Sequence, residues 1–218
     1  MIQFLAFDLD GTLIDSIGDI AAAGNQALSH WNEPPKPFAV YRSLIGQGSA
    51  QLMKDLVPHR TDPDFFVQLN RRFLEIYGSQ KNAHTTIYPG AESFLENWTQ
   101  QGGQIGLITN KSAQATANVL AEFKLDRFPW LRVFTAESLP ERKPSPVPLQ
   151  MLLQIAGLRN EEALMVGDGV PDFQSAQAAG VRHIAVAFGY SDLTTIQDYN
   201  PAAILEDYRD LQKLIRSL

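Results

Sequence analysis

The stretch Ile2–Thr12, with the sequence IQFLAFDLDGT, decides the fold of this chain. A short apolar run from Ile2 to Phe7 stops at Asp8, which is typical of a strand buried in a parallel sheet. A second carboxylate, Asp10, follows two residues later. Ligands of doubly wound sheets bind outside the carboxyl ends of the strands. The stretch therefore predicts a polar site at that edge.

From Tyr88-Pro89-Gly90 onward the pattern alternates between helices and strands. The predicted helices span 91–101, 112–123, 146–156 (capped by Ser145), 172–179 and 211–218, and the predicted strands span 104–108, 132–135, 163–166, 183–186 and 203–205. This alternation is typical of a parallel sheet, so the predicted fold class is α/β with a Rossmann-like, doubly wound core.

The segment between the first strand and this alternating region is predicted to be helical. One helix begins near Asp15/Ser16 and continues to Trp31, where a proline-rich stretch breaks the chain. Three more helices are predicted within 38–79, the last opened by Asp62-Pro63. We expect a small α-helical insertion after the first strand.

Composition narrows the possible chemistry. The 218 residues are 44% hydrophobic and 19% charged, which suits one compact domain with an insertion and argues against disorder or a coiled coil. The net charge of −6 argues against nucleic-acid or anionic-membrane partners. The sequence has no cysteine and no metal-binding histidine motif, so any metal should be a hard cation held by oxygen. Without a targeting segment or a long apolar run, we expect a soluble, cytoplasmic protein.

Three acids are predicted to meet at the edge of the sheet. Asp8 and Asp10 follow the first strand, and Asp168 follows the strand at 163–166. Together they suit Mg²⁺, which prefers a few carboxylates plus water and substrate phosphate. Asp8 can attack phosphorus as a nucleophile, and Asp10 can protonate the leaving alcohol and then activate water.

Other polar residues follow neighbouring strands. Thr109 and Asn110 come after the strand at 104–108, and Lys143 comes after the next strand. These groups can hold phosphoryl oxygens and neutralise charge in the transition state. The sequence therefore predicts a phosphoryl-transfer site with Asp8, Asp10, Thr109 and Lys143 as catalytic residues and Thr109, Asn110 and Lys143 as substrate contacts.

Three further residues have more than one interpretation. Asp172 could touch the metal through water, bond Lys143 or cap the following helix, and we favour a supporting position behind the metal ligands. For Asp15 we favour a helix cap. Lys111 lies either near the substrate or in solvent, and the sequence does not decide between the two.

Four motifs in order resemble the haloacid dehalogenase superfamily and, within it, the phosphoglycolate phosphatases. They are Asp8–Ser16, Thr109-Asn110-Lys111, Lys143-Pro144-Ser145-Pro146, and Gly167-Asp168 with Asp172. The resemblance implies a catalytic core of residues 1–15 and 82–218 and an α-helical cap of residues 16–81. It also implies Mg²⁺ bound by the Asp8 side chain, the Asp10 backbone carbonyl and Asp168.

The resemblance further implies a phosphomonoester hydrolase acting through an aspartyl-phosphate on a small phosphorylated metabolite, with 2-phosphoglycolate favoured. A sugar-phosphate mutase and phosphatases of nucleotides, sugar phosphates or pyrophosphate stay open as alternatives. A non-catalytic binding protein is disfavoured, because the nucleophile and its partners are intact. The oligomeric state, monomer or homodimer, is left open.

Selection of the leaving group is expected to lie in the helical insertion. A small carboxylate would need a cation or a backbone N–H there, and Arg42, Lys54, Arg60 and the Gly46-Gln47-Gly48 turn are the candidates. Taken singly, each basic residue is better explained as part of a solvated helix face.

Overall fold

The computed structural model describes residues 1–218 and has one main sheet, one short ribbon and ten α-helices. The strands are β1 (Phe4–Phe7), β2 (Ile14–Asp15), β3 (Thr86–Ile87), β4 (Gln104–Ile108), β5 (Trp130–Phe134), β6 (Ala163–Gly167), β7 (Arg182–Val186) and β8 (Ala203–Leu205). The helices are α1 (Ile17–Ser29), α2 (Phe38–Leu44), α3 (Ser49–Asp55), α4 (Pro63–Ser79), α5 (Ala91–Gln100), α6 (Ala113–Glu122), α7 (Val147–Ala156), α8 (Val170–Ala179), α9 (Leu193–Asp198) and α10 (Tyr208–Ser217). None of the helices combines the length and apolarity needed to cross a lipid bilayer.

The main sheet has six parallel strands in the order β5-β4-β1-β6-β7-β8. From β1 the chain goes to β4 and β5 on one side, then crosses to β6, β7 and β8 on the other. Phe7, the last residue of β1, pairs with both Leu107 and Val166. Asp8 therefore leaves the sheet where the strand order reverses, the place where doubly wound folds bind ligands. The predicted α/β fold class is confirmed.

The apolar character of β1 follows from burial on both faces. Leu5 and Phe7 belong to the hydrophobic cluster that includes α5, α6 and α10, whereas Phe4 and Ala6 belong to the cluster with α7 and α8. Successive side chains of a strand point to opposite faces, so a central strand must be apolar at every position. This packing fixes the position of the acids that follow.

Helices α1–α4 pack around a separate cluster of 16 buried residues, to which the body of the molecule contributes only Ala115. The last of these helices begins as predicted: Pro63 occupies its first turn, and the Asp62 carboxylate accepts a hydrogen bond from the Asp64 N–H. The two chain connections between these helices and the sheet form the antiparallel ribbon of β2 and β3. The insertion therefore has its own apolar interior.

Several predicted boundaries were wrong by one to three residues. The first strand begins at Phe4 rather than Ile2, α1 begins at Ile17 and ends at Ser29, β5 spans Trp130–Phe134, α8 begins at Val170, and α10 begins at Tyr208. The early start of α8 reflects Pro171, which lacks an N–H and is tolerated in the first turn.

The predicted cap of α7 was also wrong. Pro146 occupies the N-cap position, although the Ser145 hydroxyl still accepts a hydrogen bond from the Val147 N–H at 3.2 Å.

Candidate active site

The ends of the parallel strands bring the predicted site residues to one cavity edge. Asp8 follows β1, Thr109 follows β4 and Asp168 follows β6, while Lys143 arrives on the loop after β5. The β1–β4 and β1–β6 registers place the three strand ends side by side. The structure therefore assembles residues that are up to 160 positions apart in the chain.

Three of the carboxylates form a tight cluster. One oxygen each of Asp8, Asp168 and Asp172 lies within 4.8 Å of the others. The Asp168 carboxylate accepts hydrogen bonds from the Thr12 hydroxyl at 3.0 Å and the Tyr190 N–H at 2.8 Å, both neutral donors. Burial, reinforced by the charge of Asp172, raises the pKa of Asp168 to about 7.

Lys143 is the cation of this cluster. Its buried ammonium lies 2.6 Å from Asp172 Oδ1 and 2.7 Å from Asp8 Oδ1. Burial alone would lower the pKa of Lys143, but the charges of Asp172 and Asp8 raise it above its ordinary value. The pKa of Asp8 is raised by burial and by Asp172, and Lys143 opposes that rise.

Asp172 does two of the three things that its sequence position allowed. One carboxylate oxygen pairs with Lys143, and the other accepts a hydrogen bond from the Gly169 N–H at 3.0 Å, which caps α8. The hydrogen bond to Gly169 fixes the Asp172 carboxylate at the start of α8, and the contact with Lys143 then keeps the ammonium beside Asp8.

Asp10 belongs to a second polar group, separate from the cluster of Asp8, Asp168 and Asp172. Its Oδ1 accepts hydrogen bonds from the Ser16 hydroxyl and from the Lys111 ammonium, the latter at 2.8 Å. Lys111 also donates to the Tyr77 hydroxyl of α4 at 2.5 Å. Burial would lower the pKa of Lys111, yet the charge of Asp10 raises it above the ordinary value. Lys111 therefore lies buried beside the site rather than in solvent.

Thr109 and Asn110 make different contacts. The Thr109 hydroxyl accepts a hydrogen bond from the Lys111 N–H at 3.1 Å. The Asn110 amide donates to the carbonyls of Gly46 and Lys143, both at 2.9 Å, and thereby links the helical insertion to the sheet. Its Oδ1 is buried without a partner.

The residues that fix Asp168 were not predicted from the sequence. Thr12 and Tyr190 supply its hydrogen bonds, and the Tyr190 hydroxyl also accepts a hydrogen bond from the Ser16 N–H at 2.9 Å. Gly11 has φ +82°, and a Cβ there would lie 2.3 Å from Asp168 Oδ2. The glycine beside two acids was a usable signal, but Tyr190 follows β7 with no motif to mark it.

Two cavities open on Asp8 and Asp10. The smaller, about 70 Å³, is also lined by Thr109, Asn110 and Lys111 together with apolar side chains of α3 and α4. The larger, about 630 Å³, is lined by Lys143, Asp168 and Asp172 together with residues of the insertion and of the loop after β7. The insertion thus covers the acids while leaving room beside them.

The acidic cluster fits a hard divalent cation. Asp8 Oδ1 is buried and has the ion-pair contact with Lys143 but no well-oriented hydrogen bond. The hydrogen bonds to Asp168 come from neutral donors only. The three clustered carboxylates thus have one lysine beside them, which contacts only Asp8 and Asp172. Oxygen donors of this kind are what Mg²⁺ takes. Asp8 and Asp168 are the residues with the capacity to hold it.

Comparison with known proteins agrees with this geometry. Residues 5–186 match the family of haloacid dehalogenase-like hydrolases. The chain is 35% identical over 213 residues to phosphoglycolate phosphatase of Pseudomonas savastanoi pv. phaseolicola, covering 96% of this chain and 78% of that protein. It is 34% identical over 215 residues to phosphoglycolate phosphatase 1 of Pseudomonas aeruginosa, with the same coverage.

A solved structure shows the same fold over the full length. The crystal structure of a predicted phosphoglycolate phosphatase from Haemophilus somnus 129PT superposes with a TM-score of 0.91 at 29% identity, covering 98% of each chain. The expectation of a hydrolase with phosphatase relatives is confirmed. The chain belongs to the haloacid dehalogenase-like hydrolase family.

Proposed function

We propose that this enzyme is a Mg²⁺-dependent phosphomonoester hydrolase that forms an aspartyl-phosphate, with 2-phosphoglycolate as the favoured substrate. The observation that carries the proposal is the position of Asp8 at the end of the central strand, 2.7 Å from the Lys143 ammonium and within a cluster of acids. The names of the similar Pseudomonas proteins support the choice of substrate.

Asp8 is the nucleophile in this proposal. One of its carboxylate oxygens forms a bond to phosphorus while the bond from phosphorus to the substrate oxygen breaks. Lys143 lies against the same carboxylate and favours its ionised, reactive form. Asp172 keeps Lys143 in place through the 2.6 Å contact.

Asp10 is the general acid and base. It gives a proton to the departing oxygen and later takes one from the water that attacks the phosphorus of the aspartyl-phosphate. In that second step the bond from the Asp8 oxygen to phosphorus breaks, which restores the Asp8 carboxylate and releases phosphate. Ser16 and Lys111 both donate to Asp10 Oδ1, so the carboxylate has a fixed orientation at the edge of both cavities. Hydrolysis in two displacements needs a proton donor for the first step and a proton acceptor for the second, and Asp10 serves as both.

The remaining groups bind charge. Thr109, Asn110 and Lys143 contact the phosphoryl oxygens, for which Asn110 would exchange one of its present carbonyl partners. The Asp8 and Asp168 side chains and the Asp10 backbone carbonyl would hold Mg²⁺, which when bound offsets the negative charge of the acids and of the phosphate.

Residues 16–81 form the cap in this proposal, and residues 1–15 with 82–218 form the core. Support comes from the separate apolar cluster of α1–α4 and from the β2–β3 ribbon at the two crossings. A cap of this kind excludes water from the site before the chemistry begins.

The test is phosphate release with Mg²⁺ from a panel of 2-phosphoglycolate, hexose phosphates, nucleoside monophosphates, pyridoxal phosphate and pyrophosphate. We expect the highest kcat/KM for 2-phosphoglycolate and loss of activity in EDTA that added Mg²⁺ restores. Full activity in EDTA would contradict the metal requirement. A flat profile would contradict the substrate, and no release from any compound would contradict the phosphatase function.

A further inference from the structure

Arg42 is the basic residue of the insertion that reaches across to the sheet. It lies in the last turn of α2, and its guanidinium donates a hydrogen bond to the Gly189 carbonyl on the loop after β7. The same group lies 6.0 Å from the centre of the Tyr190 ring. Arg42 is an exposed residue, and these two contacts across the cleft hold its guanidinium at the cavity.

Arg42 lines the 630 Å³ cavity that also contains Asp8 and Lys143. Lys143 is committed to Asp8 and Asp172, whereas Arg42 has no carboxylate partner. A guanidinium carries five N–H groups, and only the bond to Gly189 occupies one of them here. The cavity thus has a positive group with free donors in addition to the nucleophile and its lysine.

Two other basic residues of the insertion, together with Lys111 of the core, are engaged or lie elsewhere. Arg60 is paired with Glu33 at 2.7 Å and stacks on Phe65. Lys111 is buried against Asp10. Lys54 is exposed and lines neither cavity. Among these residues, Arg42 alone combines free donors with the large cavity.

We propose that Arg42 selects substrates whose leaving group carries a carboxylate, which it binds while the phosphate lies at Asp8. This assignment rests on the proposed phosphatase function. Arginine suits a carboxylate because its planar N–H groups can form two parallel charge-assisted hydrogen bonds. Asp55 and Asp192 also line the cavity and would repel additional negative charge, so a leaving group with one carboxylate is favoured over a more highly charged one.

The test compares three phosphomonoesters of similar size that differ in the charge of the leaving group. The leaving group is anionic in 2-phosphoglycolate, neutral in 2-hydroxyethyl phosphate and cationic in O-phosphoethanolamine. For Arg42→Gln, the kcat/KM ratio of 2-phosphoglycolate to 2-hydroxyethyl phosphate should fall about 10- to 100-fold, the value of a charge-assisted hydrogen bond. Arg42→Glu should shift the preference toward O-phosphoethanolamine. Arg71→Gln removes an exposed arginine from the same insertion outside the cavity, so it should keep the wild-type ratio.

The outcomes separate this assignment from the function on which it rests. Equal losses on all three substrates in Arg42→Gln would mean that Arg42 only holds the insertion in place, and would overturn the assignment. A wild-type enzyme that hydrolyses all three without preferring the carboxylate would also overturn it while leaving the phosphatase function standing. A wild-type enzyme that hydrolyses none of them would contradict both.

Discussion

At the scale of single residues, the site is organised by how one lysine is shared. Lys143 touches both Asp8 and Asp172, whereas Asp168 is held by the neutral donors Thr12 and Tyr190. The Asp172 carboxylate is also tied to a helix N-terminus, so Asp8 is the partner of Lys143 that is free to react. Burial of all these groups makes each contact stronger than it would be in water.

Replacing Asp8, the proposed nucleophile, tests this arrangement. Asp8→Asn keeps the shape of the side chain but removes the charged oxygen, so kcat with Mg²⁺ should fall about a thousandfold or more. Melting temperature should change little, since the substitution also relieves repulsion among buried acids. The matched control is Asp126→Asn, an exposed aspartate outside the site, which should keep full activity. If Asp8→Asn kept activity within about tenfold of wild type, Asp8 could not be the nucleophile.

The link between Tyr77 and Lys111 predicts a cost in stability. Tyr77→Phe leaves the buried Lys111 ammonium with one hydrogen-bond partner fewer, so the free energy of unfolding should drop by about 1–3 kcal/mol. Tyr199→Phe removes a hydroxyl that bonds Gln174 in a half-buried place, and should cost less. Urea titration of both variants measures the difference. Equal costs would mean that the Lys111 contact adds nothing.

At the scale of elements, the turn after β1 depends on a glycine. Gly11 has positive φ, and its missing Cβ leaves room for the Asp168 carboxylate 2.3 Å from where that atom would be. The turn thereby delivers Thr12 to Asp168 and Asp10 to Ser16. The end of β1, the turn at Gly11 and the carboxylate of Asp10 therefore depend on one another for their positions.

Gly11→Ala should therefore be costly in two ways. Positive φ costs a residue with a Cβ about 1–2 kcal/mol, and the contact with Asp168 adds to it. Gly102→Ala isolates the first effect, because Gly102 has φ +85° and nothing within 4 Å of its Cβ position. Denaturant unfolding should show a larger loss for Gly11→Ala, together with loss of phosphate release. Equal losses of stability would show that Asp168 moves aside freely.

The elements also show how far the sequence alone could go. The alternation after Tyr88 predicted the sheet and most of its helices, because apolar spacing records which faces are buried. The β2–β3 ribbon was missed because two-residue strands leave no periodic signal, and α9 was missed because it has only six residues. Of the three acids predicted to meet at the edge of the sheet, Asp8 and Asp168 lie in one cluster, but its third member is Asp172, and Asp10 pairs with Lys111 instead.

Contacts between distant segments could not be predicted from the sequence. Arg42 bonds Gly189, 147 positions away, and Tyr77 bonds Lys111, 34 positions away. The sequence around Arg42 or Tyr77 does not indicate these partners, because the contacts depend on how the insertion lies on the sheet. The same holds for Tyr190, which fixes Asp168 from a loop without a motif.

At the scale of the whole molecule, the insertion and the body meet through polar contacts around the acids. Arg42 to Gly189, Asn110 to Gly46 and Tyr77 to Lys111 are all hydrogen bonds. The apolar clusters on the two sides are separate apart from Ala115. Separating the insertion from the body would therefore break these three hydrogen bonds.

The charge of the cluster predicts how pH and metal together affect stability. The pKa of Asp168 is about 7 in the folded protein, compared with an ordinary value of 3.8. Between these two pH values the folded state binds a proton that the unfolded state does not, so the contribution of Asp168 to stability falls as pH rises. A bound cation favours the ionised form of Asp168, so it opposes this loss of stability at higher pH. Thermal unfolding should thus show a larger gain on adding Mg²⁺ at about pH 7.5 than at about pH 5.

Asp168→Asn is the control for this measurement, because it removes the titrating group and a proposed metal ligand together. Its gain in melting temperature on adding Mg²⁺ should be small at both pH values. A wild-type gain that is the same at both pH values would contradict the role of Asp168 as a cation ligand.

The proposed mechanism requires that Asp8 becomes phosphorylated during turnover. The most direct measurement is a rapid acid quench of the enzyme with Mg²⁺ and 2-phosphoglycolate, followed by mass analysis of the peptide that contains Asp8. We expect the added mass of one phosphoryl group on Asp8, lost on treatment with hydroxylamine and absent in Asp8→Asn. Phosphate release at full rate with Asp8 never modified would contradict it.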